Sequence, residues 1–321
     1  MTLSAPAAEL PAEADPNNGS APAGAGSPFR AAFRRLKRNP LAIVCAVVIA
    51  LLVLMAVFAP LLTALNGHPP TSDYPDTLNA TLGGLPNGNL GGISGSFWFG
   101  VEPSTGRDLF SEVVYGARVS LFISICATVV TVVIAVVLGI TAGYFGGWID
   151  AVIGRVMDVM IAFPSLIFMI ALVAVLPDFP RIPLLIIIMS VFNWPYLARL
   201  VRGLTISLRE REFVEAALSL GATTRTILFS ELLPNLTAPI LVTTTLMIPS
   251  YISYEAALSF LGLGVPPGTP SWGSMIASSL NWYSTDPMYF VVPGVFLFLT
   301  VIAFNLLGDA LQAALDPRRL R

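Results

Sequence analysis

Long apolar runs alternate with polar segments through most of this chain. The runs cover about 41–65, 119–141, 152–176, 182–204, 236–263 and 289–311. An α-helix needs about 20 apolar residues to cross the hydrocarbon core of a bilayer. The pattern therefore predicts an all-α, polytopic membrane protein with six transmembrane helices.

Prolines lie at or inside several of these runs. Pro60 predicts a kink or a stop near the end of the first run. Pro164 and Pro195 lie inside the third and fourth runs, each of which we count as one span.

The polar segments divide the chain into regions with different expected roles. We predict a disordered tail at 1–29, a basic cluster and first transmembrane helix at 30–65, an extracytoplasmic loop at 66–112, a five-helix core at 113–311 that contains a cytoplasmic loop at 205–235, and a tail at 312–321.

The composition fits a protein that lives in lipid. Hydrophobic residues make up 55% of the chain and charged residues 11%, against about 25% charged in typical soluble domains. The mean hydropathy is +0.78. The two cysteines lie in apolar runs, and His68, the single histidine, is expected to be solvated. No metal site is predicted.

The basic residues predict an orientation. Of the 17 Lys and Arg residues, only Arg107, Arg118 and Arg181 lie outside the amino-terminal cluster, the turn near 155, the region 199–225 and the carboxyl-terminal tail. Basic residues concentrate on the cytoplasmic side of membrane proteins. Both termini and the 205–235 loop are therefore expected in the cytoplasm.

The 205–235 loop predicts two short helices lying at the membrane surface. Phe213, Ala216, Ala217 and Leu220 share one helical face, and Gly221 follows directly, as expected of a left-handed turn that ends a helix. A second short helix is expected to run to Pro234, which leads into the fifth span. On helical pattern alone, an ordinary interfacial helix explains this loop equally well.

The spacing within this loop resembles a known motif. Glu215, Ala216 and Ala217, then Gly221 after three residues and Pro234 after twelve more, resemble the EAA loop of bacterial ATP-binding-cassette (ABC) importer permeases. The resemblance implies that the loop docks an ATPase and couples it to the pore. Arg211 is included as a charged neighbour of this docking surface.

Other segments resemble the C-type subunit of the dipeptide/oligopeptide/nickel permease family. They are 106–108, 115–121, 255–265, 270–273, 304–309 and 315–318. The resemblance implies a type I importer permease in the plasma membrane that pairs with a B-type permease, two ABC ATPases and an extracytoplasmic solute-binding protein. The transported solute is expected to be a peptide or a related small molecule.

The energy source is expected to lie outside the chain. No Gly-x-x-x-x-Gly-Lys-Ser/Thr phosphate loop occurs, and Lys37 is the single lysine. The chain is therefore expected to bind no cofactor, to hold no catalytic residue and to leave ATP to its partner ATPase. Nucleic acid is not an expected partner.

Polar residues inside the apolar runs are candidates for the pathway, because they are costly in lipid. Glu255, Asn193 and Asn305 are the candidates for a pathway or gate, and we favour for Glu255 a gating role or a pair with a partner's basic group. Asp158 and Asp309 are expected near cytoplasmic span ends.

Two other classes of protein remain as alternatives. An ion-gradient-driven secondary transporter or channel would predict an internal repeat, which the chain does not show. An intramembrane enzyme would need paired acids such as Asp158 and Asp309, but their surroundings match no such motif.

Overall fold

A computed structural model describes residues 33–176 and 179–315 of the chain. The predicted disordered tail at 1–29 and most of the predicted tail at 312–321 lie outside these residues. Most of the described part is helical, and the longest non-helical segments are the one between the first and second spans and the one at 261–271.

Ten α-helices of eight or more residues follow one another along the described chain. They are α1 (Pro40–Val57), α2 (Ala59–Asn66), α3 (Leu109–Phe145), α4 (Gly147–Ala162), α5 (Ser165–Val175), α6 (Arg181–Arg209), α7 (Glu212–Ser219), α8 (Leu233–Phe260), α9 (Trp272–Ser279) and α10 (Pro287–Leu315). Five helical segments are long and apolar enough to cross a membrane, and the bent pair α4–α5 makes a sixth if it counts as one span. This agrees with the predicted all-α architecture.

The third predicted span is not one straight helix. Helices α4 and α5 meet at an angle of 86°, and Phe163 between them is extended. Pro164 accounts for the position of the break, because its ring disfavours the helical conformation at the preceding residue. The first span also divides where Pro60 predicted, since α1 ends at Val57 and α2 begins at Ala59.

Helices α3 and α6 form the centre of the bundle. They approach so closely that a Cβ atom on Gly139 would lie 2.7 Å from the carbonyl oxygen of Ala198. Ser190 of α6 donates a hydrogen bond to the carbonyl oxygen of Ala127 of α3 at 3.0 Å. Small residues allow such backbone contact between helices that have no hydrophobic driving force in lipid.

The predicted 66–112 loop is folded. A short 3₁₀ turn at Pro75–Thr77 leads into a two-stranded hairpin, β1 (Leu78–Asn79) and β2 (Leu85–Pro86), whose loop contains a second 3₁₀ turn at Ala80–Leu82. Asp108 caps α3 by accepting from the backbone of Ser111 at 3.1 Å. Burial raises the pKa of Asp108. Hydrogen bonds from the backbone N–H and the hydroxyl group of Ser111 oppose that shift.

The predicted solvation of His68 is wrong. Its ring stacks on Phe97 with centroids 4.4 Å apart and meets the edge of Tyr74 at 5.0 Å. Aromatic pairs of this geometry stabilise packing beyond their buried area. The imidazole therefore belongs to a small aromatic cluster that stabilises the outer segment.

Candidate coupling loop and polar sites of the bundle

The predicted docking helix exists as α7, and its carboxyl end is built around Gly221. This glycine has φ +81°. The backbone N–H of Ala222 donates to the carbonyl of Ala217 at 3.0 Å, and that of Gly221 to Leu218 at 2.9 Å. These two bonds form a Schellman motif, in which a left-handed residue ends the helix. The predicted left-handed turn is confirmed.

One side of α7 anchors the loop to the bundle. Val214 is fully buried and packs with Ile227 and Leu232. Arg209, at the end of α6, donates to the carbonyl of Tyr144 at 2.7 Å. The loop is therefore fixed to the ends of α3 and α6. The sequence analysis did not predict the anchoring role of Val214, although its apolar side chain next to Glu215 was a signal for one buried side of the helix.

The opposite side of α7 is largely exposed. Glu215 and Ala216 are exposed, Ala217 is half-buried, and Phe213 and Leu220 are 38% and 88% exposed. Arg211 is exposed at the helix start. The two acids in the first turn, Glu212 and Glu215, lie where the helix dipole favours negative charge.

The predicted end of a second short helix at Pro234 is wrong. A helical turn at Thr224–Thr226 and a π-helical segment at Ile227–Leu232 continue directly into α8. Pro234 lies in the first turn of α8. The chain stays helical through Pro234, so this proline does not separate a surface helix from the fifth span.

Glu255 lies inside the bundle at a junction of helices, and its predicted gating role stays a prediction. The side chain is fully buried. It accepts hydrogen bonds from Ser120 at 3.0 Å and from Ser259 and Ser271 at 2.8 Å each. The carboxylate therefore joins α3, α8 and the start of α9, and no surface of it is open to a basic group on a partner.

The motifs around Glu255 serve the same junction. Ser271 caps α9 with a reciprocal capping box. A Cβ atom on Gly273 would lie 2.5 Å from Cα of Ala256, so α9 rests directly on α8. The sequence analysis named the segments 255–265 and 270–273 but did not predict that serines bind Glu255. Only Ser259, one helical turn after Glu255, could have been predicted from spacing.

The two asparagines named as pathway candidates lie in different environments. Asn193 is buried in α6 and donates to the carbonyl of Met189 one turn earlier at 2.8 Å. Asn305 is exposed on α10. A pathway role remains a prediction for both, and Asn305 is the one whose side chain is accessible.

The acids considered for an intramembrane enzyme have separate surroundings. Asp158 is exposed and pairs with Arg199 at 2.7 Å. Asp150 forms a second ion pair with Arg202 of α6. Asp309 is exposed on α10. Both ion pairs join α4 to α6 and serve as contacts between these helices. In this arrangement Asp158 pairs with an arginine and not with a second acid.

The described residues thus form a bundle of apolar helices long enough to span a membrane, with an exposed helix, α7, anchored at one end. The chain belongs to the family described as binding-protein-dependent transport system inner membrane component, whose model matches residues 135–321. Residues 27–81 match the N-terminal TM domain of oligopeptide transport permease C.

Similar proteins extend over almost the whole chain. It is 42% identical over 292 residues to the dipeptide transport system permease protein DppC of Alkalihalophilus pseudofirmus, covering 91% of this chain and 90% of that protein. It is 44% identical to the glutathione transport system permease protein GsiD of Salmonella typhimurium, covering 91% of each.

A solved structure shares the fold. A chain of the MetNI methionine ABC transporter in an inward-facing conformation matches with a TM-score of 0.50 and 18% identity, covering 63% of this chain and 96% of that one. The chain is a permease subunit of an ABC importer with the type I fold and is not an enzyme. The predicted family, fold class and transport function are confirmed.

Proposed function

We propose that this chain forms one half of the translocation pathway for peptides or related small solutes. Relatives at 42% and 44% identity are named as dipeptide and glutathione permeases, and both names describe small peptides. The proposed assembly adds a B-type permease, two ABC ATPases and an extracytoplasmic solute-binding protein. The ATPases would bind the ATP, and this chain would bind no cofactor.

The proposed location is the inner or plasma membrane, with both termini and α7 in the cytoplasm. The support is the distribution of basic residues, because lysine and arginine near span ends concentrate on the cytoplasmic side. In that orientation the folded 66–112 segment and α9 lie outside, where a solute-binding protein would dock.

The coupling role of α7 rests on one observation. An anchored helix that is ended by Gly221 holds Glu215 and Ala216 outward, with buried Val214 on its other side. Ala216 is small enough for close approach by another surface, and Glu215 supplies a charge for it. Because contacts of the loop fix α7 to the ends of α3 and α6, a displacement of α7 would move these two central helices.

Charge reversal at Glu215 tests this role. We expect Glu215→Lys to insert normally but to lose both ATPase co-purification and solute uptake, because a like or unpaired charge buried at an interface costs several kcal/mol. The matched control for docking is Asp76→Lys, which reverses an exposed acid on the outer segment and should leave ATPase co-purification unchanged. Normal co-purification and uptake with Glu215→Lys would exclude α7 as the docking element.

A further inference from the structure

A partly enclosed cavity of about 450 Å³ lies at the end of the bundle that carries the 66–112 segment. Its walls come from the start of α3, the glycine- and proline-rich segment 262–270, α9 and the start of α10. Small-molecule sites commonly have volumes of about 300–1,000 Å³. The cavity is therefore large enough for a solute of several heavy atoms.

One carboxylate on the cavity wall lacks a donor. Glu112, in the first turn of α3, is 6% exposed. Its Oε2 atom has no hydrogen-bond partner among the residues that the structure describes. A buried polar atom without a partner costs free energy that a bound donor would recover. The Glu112 side chain lines the cavity, so the wall contains a buried carboxylate with one oxygen that lacks a donor.

The other charged groups on the wall already have partners. Glu102 accepts from the hydroxyl groups of Tyr289 and Thr105, one on each carboxylate oxygen. Arg107 donates to Asp73 at 2.8 Å, and this hydrogen bond raises the pKa of Arg107. Hydroxyl groups and Asp73 thus already bind Glu102 and Arg107, whereas Glu112 keeps an oxygen without a donor.

We propose that this cavity binds the primary ammonium group of a small organic solute, with Glu112 as the acceptor. An ammonium group brings three donors and a positive charge, which match a carboxylate oxygen without a partner. A metal ion fits less well, because the described residues contain no group of three or more His, Cys, Asp or Glu side chains able to hold one. Binding here requires no transport and is measured separately from it.

The test measures binding to the purified assembly of the full-length chain with its permease and ATPase partners, without the solute-binding protein, by isothermal titration calorimetry. The probes are alanyl-alanine amide, which has an ammonium group and no carboxylate, and N-acetyl-alanyl-alanine, which has a carboxylate and no ammonium group. We expect the amide to bind and the acetylated probe not to bind. Glu112→Gln should weaken binding of the amide about tenfold or more, because it removes the charge but keeps the shape.

Matched variants separate a binding effect from a folding effect. Asp76→Asn removes an exposed acid of the same outer segment away from the cavity, and it should bind the amide normally. Tyr289→Phe keeps Glu112 and frees an oxygen of Glu102, so binding should persist or strengthen. If Glu112→Gln does not fold, the wild-type comparison decides. Equal binding of both probes, no binding of the amide, or normal binding by a folded Glu112→Gln variant would overturn the proposal.

Discussion

Single residues set the distance between helices at the junction of α8 and α9. The carboxylate of Glu255 and the missing side chain of Gly273 both lie at this contact. One supplies acceptors for three serine hydroxyls, and the other lets two backbones touch. Each makes a different prediction for stability.

Adding a methyl group at Gly273 should destabilise the protein. The new Cβ atom would lie 2.5 Å from Cα of Ala256, a backbone atom that cannot rotate away. We expect Gly273→Ala to cost about 1–3 kcal/mol, as overpacking usually does. Thermal unfolding in detergent would measure it as a lower Tm. The control is Gly294→Ala in α10, where nothing lies within 4 Å and alanine favours the helix. Equal Tm values for the two variants would contradict the close contact.

Removing the acceptor at Glu255 should also lower stability. Glu255→Ala leaves the hydroxyls of Ser120, Ser259 and Ser271 without their acceptor, and each buried unsatisfied group costs about 1–3 kcal/mol. Glu255→Gln keeps one carbonyl oxygen, so its loss should be smaller. The order of Tm values, wild type above glutamine above alanine, is the expected result. A Tm for Glu255→Ala equal to that of wild type would remove the structural role.

The sequence predicted residue roles well only where local geometry decides them. Gly221 was predictable because a helix end needs a left-handed residue. Glu255 was not, because its partners come from α3 and α9, and their approach depends on packing between distant parts of the chain. Its depth in a span favoured a gating role or a pair with a partner's basic group. Hydrogen bonds from three serines are another way to offset the free-energy cost of a polar group in lipid.

At the scale of elements, the backbone at Gly221 fixes the position of α7. Its φ of +81° is accessible to glycine and tolerable for asparagine, but costly for a β-branched residue. We expect Gly221→Val to reduce ATPase co-purification and uptake strongly and Gly221→Asn to retain most of both. Nothing lies within 4 Å of an added Cβ, so a difference between the variants would report backbone conformation rather than a clash. Equal loss in both would point to another cause.

The bend between α4 and α5 shows the limit of reading elements from apolar runs. Pro164 predicts a break, but four other prolines in the spans remain inside continuous helices: Pro195, Pro239, Pro249 and Pro293. A proline breaks a helix where neighbouring helices cannot compensate for the lost hydrogen bond, or kinks it where they can. Periodicity and composition do not contain that tertiary information.

At the scale of the whole molecule, the alternation of apolar and polar segments was enough to predict the class. Each spanning helix satisfies its own backbone groups, so its length and hydropathy are local properties of the sequence. The contacts between spans are not local. Close approach of α3 to α6 at Gly139, and the folded outer segment around His68, emerge only when distant residues meet.

The orientation of the whole molecule is the property that most needs direct measurement. It decides whether the cavity beside Glu112 faces the side from which solutes arrive. It also decides whether α7 faces the cytoplasm, where an ATPase would dock. The proposed orientation rests on basic residues, few of which lie in the 66–112 segment. Cysteine labelling tests it in a background without the native Cys45 and Cys126, of which the first is buried.

Cysteines at two exposed positions should label from opposite sides. Asn89 lies in the outer segment and Thr224 follows α7, and both are exposed. In intact cells, a membrane-impermeant maleimide should therefore label Asn89→Cys and leave Thr224→Cys unlabelled until the membrane is opened. Opening the membrane serves as the control that both sites are reactive. The reverse pattern would invert the orientation and place α7 outside the cell, where no ATPase could dock on it.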